Sequence, residues 1–211
     1  MRTLTKVLIW MVVILAVFIG VVLAFFEPWT IPNDDPQLSS SVEPTLSAGD
    51  WILVSRSSNA SDGALVRCAD PDSPGRYVVG RVMGRAADVI DFKGGTLLIG
   101  NKIPSAPYAC EVPKVTMANP SSGQDTDLNC FVEEFAGGSH ESFRAATPIV
   151  DRDSHTEVPA GQVFLVSDNR ALHLDSRDFG TVAPSTCQRI ALRLWGSSGP
   201  GDSKKRFTVL W

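Results

Sequence analysis

The sequence of 211 residues has little of several features that mark common function classes. It has no excess of basic charge, since 19 lysines and arginines stand against 23 aspartates and glutamates, a formal net charge of −4. This excludes a nucleic-acid binder that depends on bulk positive charge. It has four cysteines and no C-x-x-C pair, which excludes a disulfide-rich scaffold and argues against a structural zinc site. No phosphate loop or metal-spaced cluster is present either, so we predict no metal and no cofactor.

One long apolar run is present, in contrast to the short runs elsewhere. Residues 7–26 contain no charged side chain, and at about 1.5 Å per residue they span the roughly 30 Å hydrocarbon core of a bilayer. We predict a transmembrane helix at 7–26 behind a cytoplasmic segment at 1–6. A cleaved signal peptide is the alternative, but its apolar region usually has about 7 to 15 residues and precedes a small-x-small site. Here the run ends in Phe25-Phe26-Glu27-Pro28-Trp29.

The charges on either side of this run predict its orientation. Arg2 and Lys6 precede it, whereas Glu27, Asp34 and Asp35 follow it. By the positive-inside rule the N-terminus lies in the cytoplasm and the chain from about residue 27 lies outside.

All four cysteines lie in this exported part, where the surroundings allow a disulfide. Cys110 with Cys130 is the preferred pair, because both belong to one segment rich in loops. Buried free thiols are the alternative.

The pattern of the exported part predicts an all-β domain of the sandwich or barrel type, with no helix of useful length. Gly100-Asn101 is a candidate two-residue hairpin turn. The β core is expected at 27–103 and 157–211, and residues 104–156, rich in Ser, Thr, Pro and Gly, are expected to form an irregular inserted subdomain. Strands are predicted at 51–54, 64–68, 77–83, 89–92, 96–103, 163–167 and 190–195.

Two segments carry the polar groups that a site would need. Residues 39–54 read SSSVEPTLSAGDWILV, a cluster of hydroxyls that we interpret as a loop leading into a strand. Residues 158–180 read VPAGQVFLVSDNRALHLDSRDFG, an apolar strand followed by a dense run of charged and amide groups. Burial of such groups is costly unless they are paired, so they are expected to pair or to take part in chemistry.

Together these segments resemble the type I signal peptidases, membrane-anchored serine proteases that remove signal peptides from exported proteins. The nucleophile box of that family is S-x-S-M-x-P-T-L-x-x-G-D-x-x-L-V, in which only the Met is changed here, to Val42. The positions in register are Ser39, Ser41, Pro44, Thr45, Leu46, Gly49, Asp50, Leu53 and Val54. The last family box is matched at Val158, Pro159, Gly161, Phe164, Asp168, Asn169, Arg170, Asp175, Ser176, Arg177 and Gly180.

The resemblance implies a signal-peptidase-type antiparallel β domain behind one membrane anchor, with a serine nucleophile. Ser41 would be that nucleophile, and the Ser39 hydroxyl with the Ser41 N–H would form the oxyanion hole. Asp175 and Arg177 would form a buried pair that braces the site. Supporting roles are implied for Asp168 and Ser176.

The sequence departs from the family at the catalytic base. The family reads K-R-V-x-G-x-P-G-D where this chain has GRVMGRAAD, so Gly80 stands at the lysine position. In the last box His173 replaces the serine that accompanies that lysine. We hypothesise that His173 fills the space left at Gly80 and serves Ser41 as the base, oriented by Asp175 or Asp168. A surface histidine is the alternative, and His140 and His155 are expected to be solvent-exposed.

Two functions stay open on these residues. The first is a signal peptidase in the bacterial cytoplasmic membrane, which acts at the lipid surface on preproteins that carry signal peptides. The second is a catalytically inactive paralogue that binds signal peptides or assists an active peptidase. The missing lysine favours the second, and the retained Ser39 and Ser41 favour the first.

Overall fold

The computed structural model describes residues 2–57, 61–104, 108–147, 153–203 and 205–210. The chain begins with the long helix α1 (Arg2–Phe25). Within its segment Thr3–Phe25, an 18-residue window has a mean hydropathy of 3.2, and none of that window is buried inside the protein. Apolar side chains on every side of a helix need an apolar environment, which a bilayer supplies. A helix is therefore present where one was predicted, although it starts before residue 7, and Phe26 belongs to the first strand.

Strands dominate the rest of the described chain. The short helices are α2 (Pro36–Val42) and α3 (Ser176–Phe179), and a 3-10 turn lies at Pro184–Thr186. The strands are β1 (Phe26–Thr30), β2 (Trp51–Ser55), β3 (Leu65–Ala69), β4 (Tyr77–Arg85), β5 (Val89–Lys93), β6 (Thr96–Ile99), β7 (Tyr108–Ala118), β8 (Asp125–Phe135), β9 (Gly138–Ala145), β10 (Ser154–Glu157), β11 (Val163–Val166), β12 (Cys187–Trp195) and β13 (Thr208–Val209).

These strands form a main sheet and two smaller ones. The main sheet has seven strands in the order β1-β2-β12-β3-β4-β11, and β13 pairs with β12. The smaller sheets have the orders β10-β5-β6 and β7-β8-β9. Neighbouring strands run antiparallel, which confirms the predicted all-β antiparallel class.

The segment 104–156 differs from the irregular subdomain that was expected. It contains β7, β8 and β9, a regular antiparallel sheet with two strands of 11 residues. The expectation of irregularity was wrong because β7 is largely exposed, so polar residues and a proline occupy positions where the sequence analysis looked for apolar ones. The limits of the subdomain itself stay a prediction.

The predicted hairpin turn and the preferred disulfide are both present in the structure. Gly100 and Asn101 both have positive φ, 56° and 63°, between the paired residues Ile99 and Lys102, as a two-residue hairpin turn requires. The preferred disulfide, Cys110–Cys130, is present and joins β7 to β8. A second disulfide, Cys68–Cys187, joins directly opposed positions of β3 and β12.

The core that positions the site lies under α2. Leu38 and Val42 of α2 are buried in one cluster with Ile52 and Val54 of β2 and Val79 of β4. Because each such side chain removes apolar surface from water, this cluster fixes α2 against the main sheet.

The turn between β4 and β5 yields a prediction about stability. Ala87 has a φ of 72°, a left-handed conformation that costs a residue with a Cβ roughly 1–2 kcal/mol. Ala87 is exposed, so glycine loses no packing there. Ala87→Gly should raise the free energy of unfolding of the full chain in detergent by up to about 1 kcal/mol.

The matched control is Ala86→Gly, since Ala86 does not have a positive φ. This variant should lose up to about 1 kcal/mol, because glycine gains freedom in the unfolded chain. Equal effects of the two substitutions in chemical denaturation would contradict the assignment of strain to Ala87.

Candidate active site

The segment expected to be a loop before β2 contains the helix α2. Asp35 caps it, since its side chain accepts a hydrogen bond from the N–H of Leu38 at 3.0 Å, and Pro36 occupies the first turn. An aspartate followed by a proline is a recognised start signal for a helix. The sequence analysis missed this signal because the helix has only seven residues.

The three consecutive serines of α2 bond back to their own helix. The hydroxyls of Ser39, Ser40 and Ser41 donate to carbonyl oxygens three residues earlier, at 3.3, 3.0 and 2.8 Å respectively. Ser41 has no exposed surface, while Ser39 and Ser40 keep 9% and 6%. The nucleophile that the resemblance implies is thus held within the helix, with its hydroxyl donating a hydrogen bond to the carbonyl of Leu38.

The loop after β11 clamps α2 through Asn169. The Asn169 side chain donates to the carbonyl of Ser40 at 3.0 Å, and its backbone N–H donates to the carbonyl of Ser41 at 3.1 Å. The amide oxygen of Asn169 accepts from the N–H groups of Ala171 and Leu172. One buried side chain therefore fixes both the loop and the rotation of α2.

Two buried ion pairs stabilise this loop. Asp168 accepts from Arg81 of β4 at 2.6 and 3.1 Å, and Asp175 accepts from Arg177 of α3 at 2.9 and 2.8 Å. Ser176 connects α3 to β11, because its hydroxyl accepts a hydrogen bond from the N–H of Leu165 at 2.9 Å.

The pairing reverses the effect of burial on both carboxyls. Burial alone would raise the pKa of Asp168, but the charge of Arg81 outweighs it and lowers the pKa. Burial opposes ionisation of Asp175 in the same way, and Arg177 likewise holds the pKa of that carboxyl below its ordinary value. Both groups are therefore carboxylates in the folded protein.

His173 has a carboxylate partner, but not one that the sequence analysis named. Its Nδ1 lies 2.8 Å from Oδ2 of Asp178, whereas Asp168 and Asp175 are engaged by arginines. A ligand atom of Asp175 also lies within 4.8 Å of one of His173, and the expectation that Asp175 or Asp168 orients the imidazole stays a prediction. Asp178 also accepts from the N–H of Asp175 as part of a capping box, so its position is fixed by α3.

Gly80 does not leave a space that an imidazole could fill. A Cβ at this position would lie 3.2 Å from Cβ of Leu165 and 3.3 Å from the carbonyl oxygen of Val166. The neighbouring strand β11 therefore already occupies the side-chain direction, and the part of our hypothesis that placed His173 there was wrong.

The β7–β9 sheet contributes a buried charge network beside the loop. Glu133 bonds to Arg170 at 2.9 Å and to Arg144 at 2.7 Å. Although burial would raise the pKa of Glu133, these arginines, with His140 and Ser142, lower it far below the ordinary value. His140 was expected to be exposed but is buried, 3.4 Å from Glu133, and burial lowers its pKa. His155 has a side chain that is 70% exposed.

A cavity of about 350 Å³ lies between α2, the loop after β11 and the turn that joins β7 to β8. Ser40 and Gln37 of α2 line one wall, and His173 with Asp178 lines another. Asn119 and Ser121 of the turn close a third side. Of the three consecutive serines, Ser40 lines this cavity and Ser39 and Ser41 do not, so the cavity brings Ser40 and the histidine–carboxylate pair to one place.

A metal could in principle be held by His173, Asp175 and Asp178, whose ligand atoms lie within 4.8 Å of one another. Both oxygens of Asp175, however, accept hydrogen bonds from the Arg177 guanidinium. The geometry is that of an ion pair and a histidine–carboxylate pair.

Sequence reasoning missed Asp178, Ser40 and Glu133. The spacing of Asp175 and Asp178 is that of a capping box, a signal that could have located Asp178 near His173. Ser40 and Glu133 had no such signal, because only the packing of α2 and of the β7–β9 sheet brings them to the site.

Comparison with known proteins gives one consistent family. The family model described as "Signal peptidase, peptidase S26" matches residues 4–195. The chain is 28% identical over 178 residues to Signal peptidase I U of Bacillus subtilis, a match covering 82% of this chain and 77% of that protein. It is 30% identical over 183 residues to Signal peptidase I of Pseudomonas fluorescens, covering 76% of this chain and 58% of the relative.

The pairing of Asp175 with Arg177 yields a stability prediction. Asp175→Asn leaves the guanidinium of Arg177, a side chain only 4% exposed, without its counter-charge. Removal of one partner from a buried pair costs about 3–5 kcal/mol, so unfolding of the full chain in detergent should require correspondingly less denaturant. Arg76→Gln is the control, because Arg76 pairs with Asp35 at the surface and its loss should cost under about 1 kcal/mol. Similar costs for the two variants would contradict this account.

The lowered pKa values of Asp168, Asp175 and Glu133 predict acid sensitivity. In the unfolded chain the pKa values of Asp and Glu lie near 3.9 and 4.3. Below these pH values the unfolded chain binds protons while the folded carboxylates, with lower pKa values, stay ionised. The free energy of unfolding should therefore be steady above about pH 5 and fall as the pH decreases toward 3. Denaturant titrations across this range test it, and a flat profile would contradict it.

Proposed function

Since the chain belongs to the signal peptidase family, peptidase S26, we propose that it is a membrane-anchored serine endopeptidase that cleaves signal peptides from exported preproteins. The observation that carries this proposal is the shared cavity: Ser40 of the serine segment and the His173–Asp178 pair line the same space. A hydroxyl, an imidazole and a carboxylate are the groups that a serine–histidine peptidase needs.

The anchor supports a site close to the lipid surface. α1 passes directly into β1, and the N–H of Arg56 in the strand region donates to the carbonyl of Phe25 at 2.9 Å. Only ten residues separate the end of α1 from the start of α2. A preprotein held in the bilayer by its own signal peptide thus meets the site at a high effective concentration.

We place the β domain outside the bacterial cytoplasmic membrane and the N-terminus in the cytoplasm. Lys6 precedes the apolar span and Glu27 follows it, which fits the positive-inside rule. The disulfides Cys68–Cys187 and Cys110–Cys130 belong to the β domain and suit an oxidising compartment.

The reaction requires a base that can take the serine proton. His173 is that base, with Asp178 holding its Nδ1 side and so directing the other ring nitrogen to proton transfer. The serine oxygen attacks the carbonyl carbon of the scissile bond while the imidazole takes the hydroxyl proton. The imidazolium then gives this proton to the leaving amine, and water hydrolyses the ester by the same route.

The serine segment also supplies the groups for the oxyanion. The family register points to Ser41 for the nucleophile and to the Ser39 hydroxyl, with the Ser41 N–H, for the oxyanion hole. The Ser39 hydroxyl has a long bond of 3.3 Å to the carbonyl of Pro36, which a developing oxyanion could replace.

The second candidate function is an inactive paralogue that binds signal peptides or assists an active peptidase. Two observations favour it: Gly80 stands at the family lysine position, and the Ser41 hydroxyl is tied to its own helix. Because β11 fills the side-chain direction of Gly80, we do not expect Gly80→Lys to restore a lysine base without displacement of that strand.

Cleavage of a model preprotein by the full chain in detergent tests the proposal. Wild type should cleave. His173→Ala and the double variant Ser40→Ala/Ser41→Ala should each lose at least about 100-fold in rate. His155→Ala is the matched control, because His155 is an exposed histidine of β10, and this variant should cleave like the wild type.

If the wild type does not cleave the substrate under conditions in which another signal peptidase does, the catalytic proposal is overturned. Binding of a labelled signal peptide by that inactive protein would then favour the inactive-paralogue function. Activity that appears only in Gly80→Lys would show that the missing lysine is the sole defect and that His173 is not the base.

A further inference from the structure

Glu133 of β8 is the centre of a buried charge cluster that the proposed mechanism does not use. One of its carboxylate oxygens accepts hydrogen bonds from Ser142 at 2.8 Å and from Arg144 at 2.7 Å, both on β9. The other oxygen accepts from Arg170 at 2.9 Å and lies 3.4 Å from Nε2 of His140. Of these partners only Arg170 belongs to the loop after β11. This ion pair therefore joins the β7–β9 sheet to the loop of the candidate site.

Arg170 depends on Glu133 for its counter-charge. Its side chain is 3% exposed, and Nη2 donates to Glu133. Nε and Nη1 are buried and have no hydrogen-bond partner among the described residues. Two other carboxylates act on Arg170 through their charge, those of Asp168 and Asp175, but each is bound by another arginine. Without the charge of Glu133, the guanidinium would be buried with no carboxylate bonded to it, a costly state that favours its movement toward water.

The backbone of Arg170 lies between the two halves of the candidate site. Asn169, the residue before it, bonds to two carbonyls of α2, and His173 follows three residues later in the same loop. The N–H of Arg170 also donates to the carbonyl of Phe143 on β9 at 2.7 Å. A movement of the Arg170 side chain therefore acts on the segment that holds both the serines of α2 and the histidine. Misplacement of a reacting group by about 1 Å can cost roughly 100-fold in rate.

We propose that Glu133 is a positioning residue of the peptidase site, which acts through Arg170 on α2 and on His173. The inference rests on the proposed peptidase function. Glu133 lies outside the cavity, which in the described part of the chain is lined by residues of α2, of the turn after β7, of the loop after β11 and of α3. It acts on the geometry of the reacting groups and leaves the surface that binds the substrate unchanged. The β7–β9 sheet is then a working part of the active site.

Glu133→Gln in the full chain in detergent tests this role, because glutamine keeps the shape of the side chain and removes its charge. With a model preprotein as substrate, kcat should fall at least about 10-fold while KM changes less than about 2-fold. Rates are measured at a temperature at which circular dichroism shows each variant to be folded. A role in stability alone would leave the kcat of the folded variant at the wild-type value.

Arg144→Gln is the matched control, because it removes a bond to the same carboxyl without touching the loop. The side-chain contacts of Arg144 are to Glu133 and to the ring of Phe131, both on β8, and its side chain is 24% exposed. This variant leaves the bond between Glu133 and Arg170 in place and should keep the kcat of the wild type. An equal fall of kcat in Arg144→Gln and Glu133→Gln would overturn the inference.

A double-mutant cycle with Arg170→Met tests whether Glu133 acts through Arg170. Each single variant and the double variant Glu133→Gln/Arg170→Met should lose about the same factor in kcat, since each breaks the same contact. Losses that multiply would show that the two residues act independently and would overturn the inference.

The double variant also guards against a failure of Glu133→Gln to fold, because it has no unpaired charge at this position. Comparison of the double variant with the wild type then decides alone: kcat at the wild-type value overturns the inference. Wild-type kcat in Glu133→Gln has the same meaning and leaves the peptidase function intact. If the wild type itself does not cleave, the peptidase function is overturned, and the inference with it.

Discussion

The burial of a charged loop between the main sheet, the β7–β9 sheet and α2 is the constraint on which the rest of the structure depends. Asp168, Asn169 and Asp175 are each no more than 1% exposed. An unpaired charge at such depth would cost several kcal/mol, so each group must have a partner from another element. Arg81 of β4 and Arg177 of α3 supply the counter-charges. The loop thereby becomes a rigid platform, and every candidate catalytic group is positioned relative to it.

The same platform fixes the rotation of α2. Asn169 bonds to two carbonyls of α2, while Leu38 and Val42 anchor the opposite face in the core. The rotation of the helix is thus determined from both sides, and the face that meets His173 follows from it. In this chain that face carries Ser40. Gly80, at the family lysine position, packs closely against Leu165 and Val166 of β11.

The N-terminal apolar helix is connected to this platform through the main sheet. Glu27, just after α1, accepts from Arg67 of β3, whose guanidinium stacks over Trp29 and Tyr77 with distances of 5.0 and 4.3 Å to the ring centroids. Arg67 is 2% exposed, so the pair is partly desolvated and stronger than a surface ion pair. The first strand therefore fixes the N-terminal apolar helix to the main sheet.

The sequence by itself determined the apolar helix, the all-β class, the family, the Gly100-Asn101 turn and the Cys110–Cys130 pair. These depend on local composition, on spacing or on long motifs, which one chain displays directly. It also brought Ser39, Ser41, His173 and the pair of Asp175 with Arg177 to attention. Only the tertiary structure decided that Asp178 is the partner of His173, that His140 is buried, that β11 occupies the space beside Gly80, and which serine faces the cavity. The physical reason is that these properties depend on the rotation of a seven-residue helix and on contacts between distant strands. Tertiary packing determines both, and no periodic pattern in the sequence reports them.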